Sequence, residues 1–565
     1  MKRTIPLILG CLMPTIVPAE ELPWPAPVAG HEAPAPGEHP RLFFRQADLP
    51  ALRAKAETPE GQAILVRLRE LLGGGDAMPT HFRPKDSPFG DRTKPIHLPL
   101  GAYSISHAAG FGLLYQLTGD PKYAELGREC FEWAFEGVRD RDARGRYGWK
   151  GRTGNLRAGP TVGWYAFAYD LLYDGWDEDY RVKVARAIQN FDQGGGTTLA
   201  NLAGGASHAP ISNHWGMQTG GAALALLAIR GDPGVDTELV DRLLAENQAA
   251  ILRALKEGFG DGGFFAEGDG TGSMAAHIAL LPALQAWRTA AGVDFISPRP
   301  HAPWMAKRWM FLAQMADGQA DFRPNRGGYP HNTWARESLS GGGYFAHAFG
   351  ILDDDLRPGL LWMYDRWFRE ADSAAGTPFD TTSVYPHTAV LAFINFPFDL
   401  EPRDPGAAWP RRNQDTTFGF HAWRNRFRDE NDVIVSVLGE TTPGYMKAPA
   451  ENTVSLLTAG EEITWGHFRG GIRAEYDVRA HGGSVLTFGD GGSFAVDFSG
   501  MSGADVMLVW HGYGAPEESR VRLGDHRLAF HFLGGKAPEI EVLDDKVRVG
   551  GQTVRIVARR LSLEH

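Results

Sequence analysis

The apolar periodicity of this 565-residue chain changes near residue 405, and that change constrains the fold more than any other feature. Before it, apolar residues recur at the i, i+3, i+4 spacing of amphipathic helices; after it, short runs alternate apolar and polar residues. A chain this long exceeds one ordinary core, so several domains are expected. The pattern predicts a helical domain over residues 39–404 and a β-rich domain over residues 405–565.

The helical part is a series of stretches that end in Gly-Asp or Asp-Pro turns, as in "LLYQLTGDPKY" and "LLAIRGDPGVD". Helices joined in this way pack as antiparallel hairpins. Such hairpins set side by side around a ring form an (α/α) toroid, with a cleft among the loops at one end. We expect helices that include residues 101–118, 122–138, 161–173, 178–193, 214–230, 236–257, 273–291, 303–317 and 355–369.

The C-terminal part consists of short β-rich runs such as "DVIVSVLGE", "GSVLTFGDG" and "VMLVWHGYG", separated by Gly, Asp and Asn. Their alternation and spacing are typical of an antiparallel β-sandwich. The expected fold class is therefore a multidomain α + β protein: an incomplete (α/α) toroid of helical hairpins followed by an antiparallel β-sandwich.

The N-terminus has the three parts of a secretory signal peptide over residues 1–19: Lys2 and Arg3, an apolar stretch, and a small residue before Glu20. Residues 20–38 are rich in Pro and Ala and are predicted to be an extended linker. We expect a periplasmic or secreted bacterial protein. No later apolar run is long enough to span a bilayer.

Composition limits the partners and cofactors. The formal charge of −11 argues against nucleic acid as the main partner, whereas 16 Trp suit the stacking surfaces of carbohydrate sites. Cleavage of the signal peptide leaves Cys130 as the one cysteine, so no intrachain disulfide forms. No zinc-type spacing of Cys and His occurs, and the sequence indicates no cofactor. It does not indicate an oligomeric state.

Polar clusters interrupt the helical pattern at several places. "SNHWG" puts Asn213, His214 and Trp215 at the start of an apolar helix, where helix capping by Ser212 or Asn213 is the alternative to a substrate site. "GFGDGGFFAEGDGTGSMAAHIALL" carries Asp261, Glu267, Asp269 and His277; its carboxylates are an acid–base pair or simply favour the positive end of a helix.

Further clusters follow along the chain. Their candidate binding residues are Tyr329, His331, Trp334 and Arg336 in "RPNRGGYPHNTWARE", Tyr385 and His387 in "VYPHTAV", Trp423 in "GFHAWRNRF", and Arg157 and Trp164 in "TGNLRAGPTVGWYAF". His347 lies on an apolar helix and is predicted to be a core residue.

These stretches together resemble the heparinase II/III-like polysaccharide lyases and their alginate- and glucuronan-lyase relatives. The resemblance is carried by "HPRLFFRQADLPALRAKAE", "WYAFAYDLLYDGW", "NHW…ALALLAI" and "DGGFFAEGDG…LLPALQAW", and its sharpest motif is Asn213-His214. It implies that both side chains contact the carboxylate of a uronic acid in an acidic polysaccharide. It also implies that the reaction is β-elimination, in which charge develops on that carboxylate as the C5 proton leaves.

The resemblance implies a Tyr or His as the base. Members of the family commonly carry a Tyr after the "EG" loop, where this chain has Thr271, Met274 and His277, so His277 or Tyr329 is the expected base. The alternatives are a glycoside hydrolase on the same toroid that uses Asp261, Glu267 or Asp269, and a glycan-binding protein without catalysis.

Overall fold

The computed structural model describes residues 23–564 except 83–97, 141–146, 152, 206–207, 269–274, 300–303, 317–318, 323–343, 368–382, 430, 440–452, 459–460, 478–482, 498–505, 513–516, 518 and 534–535. The helices of the described N-terminal part are α1 Leu49–Ala56, α2 Pro59–Leu71, α3 His107–Thr118, α4 Pro121–Glu136, α5 Asn155–Leu172, α6 Glu178–Gln189, α7 Leu199–Ala203, α8 Asn213–Ile229, α9 Thr237–Arg253, α10 Leu281–Ala291, α11 Trp304–Leu312, α12 Tyr344–Ile351, α13 Arg357–Trp367 and α14 Pro386–Asn395. π-helical turns at Ala254–Gly258 and Ala276–Leu280 follow α9 and precede α10.

A Gly-Asp pair ends one helix and caps the next, as the chemistry of these two residues predicts. Gly119 ends α3 in the left-handed conformation, at φ 69°, and Asp120 caps α4 by accepting a hydrogen bond from the backbone of Lys122. Glycine takes this conformation without steric cost, and the aspartate satisfies a free N–H of the next helix. The same few residues therefore end one helix and begin its antiparallel neighbour.

Among the described residues, six helices form an inner ring: α3, α5, α8, α10 with its π turn, α12 and α14. Each contacts the next, and α14 contacts α3, so the ring closes. Helices α4, α6, α9, α11 and α13 lie outside it, each against one or two inner helices. Because inner and outer helices alternate along the chain, the inner helices run in the same direction and begin at the same end of the toroid.

Glycines allow the inner helices around α8 to approach closely. A Cβ on Gly163 would lie 2.9 Å from the Cα of Gly221, and one on Gly220 would lie 2.6 Å from the carbonyl carbon of Ala279. Gly159 likewise packs on the backbone of Met217, and Gly216 packs on Ala275. The contacts advance together along each pair, which confirms that α5, α8 and the 276–291 segment are parallel. The Gly-Ala composition of α8 is thus explained by its place between two inner helices.

Several predicted helix boundaries are wrong. The helix expected from residue 101 begins at His107, and the helix expected to reach residue 193 ends at Gln189. The helix expected from residue 161 begins at Asn155, because Pro160 lies inside α5 rather than before it. The helix expected to reach residue 317 ends at Leu312, and the strands Ala313–Ala316 and Gln319–Phe322 follow as a hairpin. Periodicity does not distinguish a short apolar strand from one more helical turn.

The strands are β1 Ala26–Pro27, β2 Val293–Asp294, β3 Ala313–Ala316, β4 Gln319–Phe322, β5 Arg412–Asp415, β6 Phe420–Arg424, β7 Ile434–Leu438, β8 Thr453–Thr458, β9 Glu461–His467, β10 Ile472–Asp477, β11 Ser484–Phe488, β12 Ser493–Asp497, β13 Val506–His511, β14 Arg520–Leu523, β15 His526–Leu533, β16 Ile540–Val542, β17 Val547–Val549, β18 Gln552–Val557 and β19 Arg560–Glu564. The predicted domain boundary near residue 405 lies between α14 and β5.

The C-terminal strands form three antiparallel sheets: five-stranded β5–β9, six-stranded β10-β11-β12-β13-β15-β14, and four-stranded β16–β19. Phe494 and Trp510 face the five-stranded sheet, whereas Ala495 and Val509 face the four-stranded one. The six-stranded sheet is therefore buried on both faces, which explains why runs such as "VMLVW" are almost entirely apolar. The predicted toroid followed by an antiparallel sandwich is confirmed.

The Pro-rich N-terminal segment is bound along the toroid. β1 pairs with β2 just after α10, and the His39 ring lies between Asp170 at 2.7 Å and Asp232 at 3.1 Å, near the ends of α5 and α8. Arg41 adds an ion pair with Asp232 at 2.8 Å, and these groups are buried. No helix among the described residues is long and apolar enough to cross a membrane.

The two domains meet at an interdomain clasp, which we define as residues 258–268 of the toroid and 413–420 of the sandwich. Asp415 accepts hydrogen bonds from the backbone of Gly262 at 3.0 Å and Phe264 at 2.8 Å. Asp261 accepts from the backbone of Thr416 at 2.6 Å and from its hydroxyl. The clasp therefore joins the glycine-rich loop after α9 to the first hairpin of the sandwich.

Candidate functional site

The hydrogen bonds at the start of α8 show which residue caps the helix. The N-cap is Ser212, whose hydroxyl oxygen accepts from the backbone N–H of His214 at 3.4 Å. Asn213 is the first helical residue, and its backbone N–H donates to Oε2 of Glu267 at 3.1 Å. In the described part of the chain the Asn213 side chain has no hydrogen-bond partner. The amide and imidazole are therefore not needed to cap this helix.

His214 lies beside a second histidine, and one of its ring nitrogens is unpaired among the described residues. Its ring lies 4.0 Å from that of His208, and its buried Nδ1 makes no hydrogen bond to any residue that the structure describes. Burial lowers the pKa of His214 to about 4, with further lowering by His208 and by the positive charge of Arg157. The imidazole is therefore neutral near pH 7, and a carboxylate bound beside it would raise that pKa.

Trp215 holds the helix rather than offering an open ring. Its Nε1 donates to the carbonyl of Ala250 at 2.9 Å, and the Arg253 guanidinium lies 5.2 Å from the ring. The residue is 4% exposed, and a Cβ on Gly205 would lie 2.6 Å from its indole. Trp215 therefore fixes α8 against α9.

A second group of side chains gathers among the inner helices, and each of them is no more than 4% exposed. His387, second in α14, stacks on Trp164 of α5 with ring centroids 3.9 Å apart. His277, in the π turn before α10, lies 5.6 Å from His347 of α12. Tyr385 precedes His387, and the two rings are 6.1 Å apart. The structure thus brings together Trp164, His277, Tyr385 and His387, which are far apart in sequence.

His347 belongs to this group, although its apolar helix led us to predict a core residue. It is both: it is 4% exposed, and burial lowers its pKa to about 4. The pKa of His387 lies well below its usual value because of burial and the neighbouring His347. The local sequence "GYFAHAFG" contains no signal that separates such a residue from ordinary core, since only the meeting of α12 with α14 places it here.

The two described carboxylates of the glycine-rich loop, Asp261 and Glu267, accept hydrogen bonds from other parts of the protein. Glu267 is 1% exposed and binds the backbone of Asn213; burial raises its pKa. Asp261 is bound by Thr416 and Thr417 in the clasp, and hydrogen bonds from these residues lower its pKa against the opposing effect of burial. Asp269 lies outside the described residues, as do the predicted site residues Tyr329, His331, Trp334 and Arg336.

Two other predicted binding residues have clear positions. Arg157 lies in the first turn of α5, part-buried, where its charge acts on His214. Trp423 lies in the sandwich core with 0% exposure, and its Nε1 donates to Ser484 at 3.2 Å. The Trp423 ring belongs to the hydrophobic core of the sandwich, whereas Trp164 belongs to that of the toroid.

Metal ligands do not gather in the part of the chain that the structure describes. No group of three or more His, Cys, Asp or Glu residues there could hold a metal ion. The side chains near the start of α8 include an amide, a neutral imidazole and a guanidinium, and a carboxylate is favoured at the positive end of a helix.

No family model matches this chain, and no curated protein matches it. Solved structures of heparinase III are similar to it. One has 11% identity and a TM-score of 0.42 and covers 89% of this chain and 78% of its own. A second heparinase III has 9% identity and a TM-score of 0.40 and covers 92% of this chain and 99% of its own.

Proposed function

We propose that the protein is a polysaccharide lyase that cleaves a uronic-acid-containing polysaccharide by β-elimination. The observation that carries the proposal is that the side chains of Asn213 and His214 have no structural hydrogen bonds among the described residues. Both lie at the start of an inner helix, neither side chain is used for capping, and the buried Nδ1 of His214 has no partner among the described residues. Donors held in this way suit a carboxylate whose negative charge grows as the C5 proton leaves.

The environment favours a uronate over a neutral sugar. The side chains of Asn213, His214 and Arg157 each offer hydrogen-bond donors, and the first turn of α8 adds its partial positive charge. A neutral His214 donates one hydrogen bond without requiring protonation of the enzyme. This arrangement stabilises the enolate-like transition state more than the ground state, because the added charge appears only during proton removal.

The carboxylate positions do not favour the glycoside hydrolase alternative. Hydrolysis needs two carboxyl groups facing the scissile bond. In the structure Asp261 binds the sandwich domain, and Glu267 binds the backbone of Asn213. Of the three candidate carboxylates, the two that the structure describes are thus bound elsewhere and do not form a pair across a glycosidic bond.

The first test is incubation with a panel of uronate polymers. A lyase produces an unsaturated uronide, so ultraviolet absorbance rises together with new reducing ends. We expect His214→Ala to lower turnover by about 10²- to 10³-fold, as for loss of one oxyanion donor, with an unchanged melting temperature. The control is His31→Ala, because the His31 ring bonds the carbonyl of Thr289 near the C-terminal end of α10. Reducing ends without absorbance would show hydrolysis, and neither signal would leave glycan binding as the alternative.

The base is the second assignment to test. We assign it to His277 or Tyr329, the two candidates that the sequence predicts. His277→Ala and Tyr329→Phe should separate them: the variant that removes the base loses about 10²- to 10⁴-fold in kcat while substrate still binds. If both variants keep near-normal kcat, the base is another group, and His347 and His387 become the next substitutions.

A further inference from the structure

We propose that the β-sandwich positions the substrate-gripping end of α8, and that Asp415 is the positioning residue through which it acts. The inference rests on the proposed function for its kinetic consequence, but its structural part stands on the interdomain clasp alone. Asp415 touches no predicted site residue, so its action would pass through the loop of residues 258–268.

The sandwich end of the clasp is built around a buried carboxylate. Asp415 is 0% exposed, and it accepts three backbone hydrogen bonds: from Gly262 at 3.0 Å, Phe264 at 2.8 Å and Phe418 at 2.9 Å. The side chain of Asn413 donates to the carbonyl of Gly262 at 3.0 Å. A Cβ on Gly260 would overlap the Asp415 carboxylate, and one on Gly262 would overlap the carbonyl of Gln414. The glycines of this loop therefore serve the domain contact.

Aromatic and cationic packing reinforces the same contact. The rings of Phe264 and Phe420 stack at 5.1 Å with an angle of 16°, and the Arg308 guanidinium lies 3.9 Å from the Phe420 ring. Arg308 is 3% exposed and belongs to α11 of the toroid. The loop tip is thus held by hydrogen bonds and by a stacked pair that joins the two domains.

The other end of the loop reaches the candidate site. Two backbone hydrogen bonds join the two arms of the loop of residues 258–268. Gly260 N–H donates to the carbonyl of Phe264 at 2.8 Å, and Ala266 N–H donates to the carbonyl of Gly258 at 3.0 Å. Glu267 follows directly and accepts from the Asn213 backbone. Gly258 packs on the carbonyl of Pro210, two residues before Ser212. A short braced hairpin therefore connects Asp415 to both sides of the α8 N-terminus.

Loss of the Asp415 carboxylate should release Asn213 locally. In Asp415→Asn, the amide NH₂ replaces one carboxylate oxygen and faces backbone N–H donors. The backbone N–H groups that this oxygen bound are then left without an acceptor. We expect faster amide hydrogen exchange in peptides spanning residues 210–218 and 258–268. On a uronate polymer we expect kcat to fall on the order of 10- to 100-fold with little change in KM, since small misplacements of orienting groups have effects of this size.

The matched control is Asp497→Asn. Asp497 is a buried aspartate of the same domain, bound to Gln552 and distant from the clasp. It should lower the stability of the sandwich without faster exchange at residues 210–218. If Asp415→Asn does not fold, Thr416→Val removes only the hydroxyl that binds Asp261, and a smaller increase in exchange at both segments is expected.

The outcomes separate this inference from the proposed function. Unchanged exchange at residues 210–218 in a folded Asp415→Asn or Thr416→Val protein overturns the positioning role, whatever the activity. Faster exchange in a protein that shows no lyase activity on any uronate polymer keeps the positioning role and overturns the proposed function. A parallel change in Asp497→Asn would show general destabilisation and also overturns the inference.

Discussion

At the residue scale, different side chains cap, anchor and bind the start of α8. Ser212 caps the helix, Trp215 anchors it to α9, and Glu267 binds the first backbone N–H, so Asn213 and His214 have no structural task left in the described contacts. A buried polar atom with no partner has a cost in folding free energy. The Nδ1 of His214 is therefore a position at which the proposed uronate would supply a hydrogen bond.

Glu267 distinguishes positioning from acid–base catalysis. Glu267→Gln keeps a carbonyl oxygen that can accept from Asn213, so a lyase should retain activity within several-fold. Glu267→Ala leaves that buried N–H unsatisfied, at a cost of about 1–3 kcal/mol, and activity should fall accordingly. The measurement is kcat/KM for both variants. A loss of about 10²-fold or more in the Gln variant would instead identify Glu267 as a general acid or base.

The identities of the candidate residues were predictable, but their grouping was not. "SNHWG" and "YPHTAV" are visible in the sequence as polar interruptions of apolar helices. The contact of His387 with Trp164 joins residues 223 positions apart, and no local pattern encodes it. His347 shows the limit best, because its neighbours in sequence are those of an ordinary core helix.

At the element scale, glycine decides how the inner ring packs. Gly221 lies against the carbonyl of Gly159, so α5 and α8 approach backbone to backbone. The composition of α8 predicts a buried helix, since apolar residues surround it on all sides. It does not predict which two helices become its neighbours.

Gly221→Ala should test this packing. Its new Cβ would overlap the Gly159 backbone, which cannot rotate away, so we expect a loss of about 3 kcal/mol in unfolding free energy. Gly204→Ala is the control, because a Cβ there meets nothing within 4 Å and φ is −85°. Urea unfolding of both variants measures the difference. Equal stability of the two would mean that the glycine contact is not limiting.

At the scale of the whole molecule, the ring gathers neutral histidines in its interior. Burial lowers the pKa of His107 to about 3 and that of His347 to about 4. Each binds its proton more weakly when folded than when unfolded, where the pKa is about 6.5. Their contribution to stability is therefore complete above pH 6.5 and is lost as the pH falls towards 4.

We expect the unfolding free energy to fall through this window by up to about 1.4 kcal/mol per pH unit for each such histidine. Urea unfolding at successive pH values measures the slope. His347→Leu should reduce the slope, whereas Phe345→Leu on the same helix changes packing without removing a titrating group. An unchanged slope in His347→Leu would show that this histidine does not contribute to acid unfolding.

The sequence by itself determined the order of the domains and the succession of helical hairpins, and it supplied the candidate residues of the proposed uronate site. These follow from periodicity, turn chemistry and side-chain type, which are local properties. Only the tertiary structure decided that the ring closes, that His277, His347 and His387 meet in it, and that Asp415 of the sandwich holds the loop carrying Glu267. These contacts depend on how distant segments pack, because burial and glycine spacing select them only once the elements are assembled.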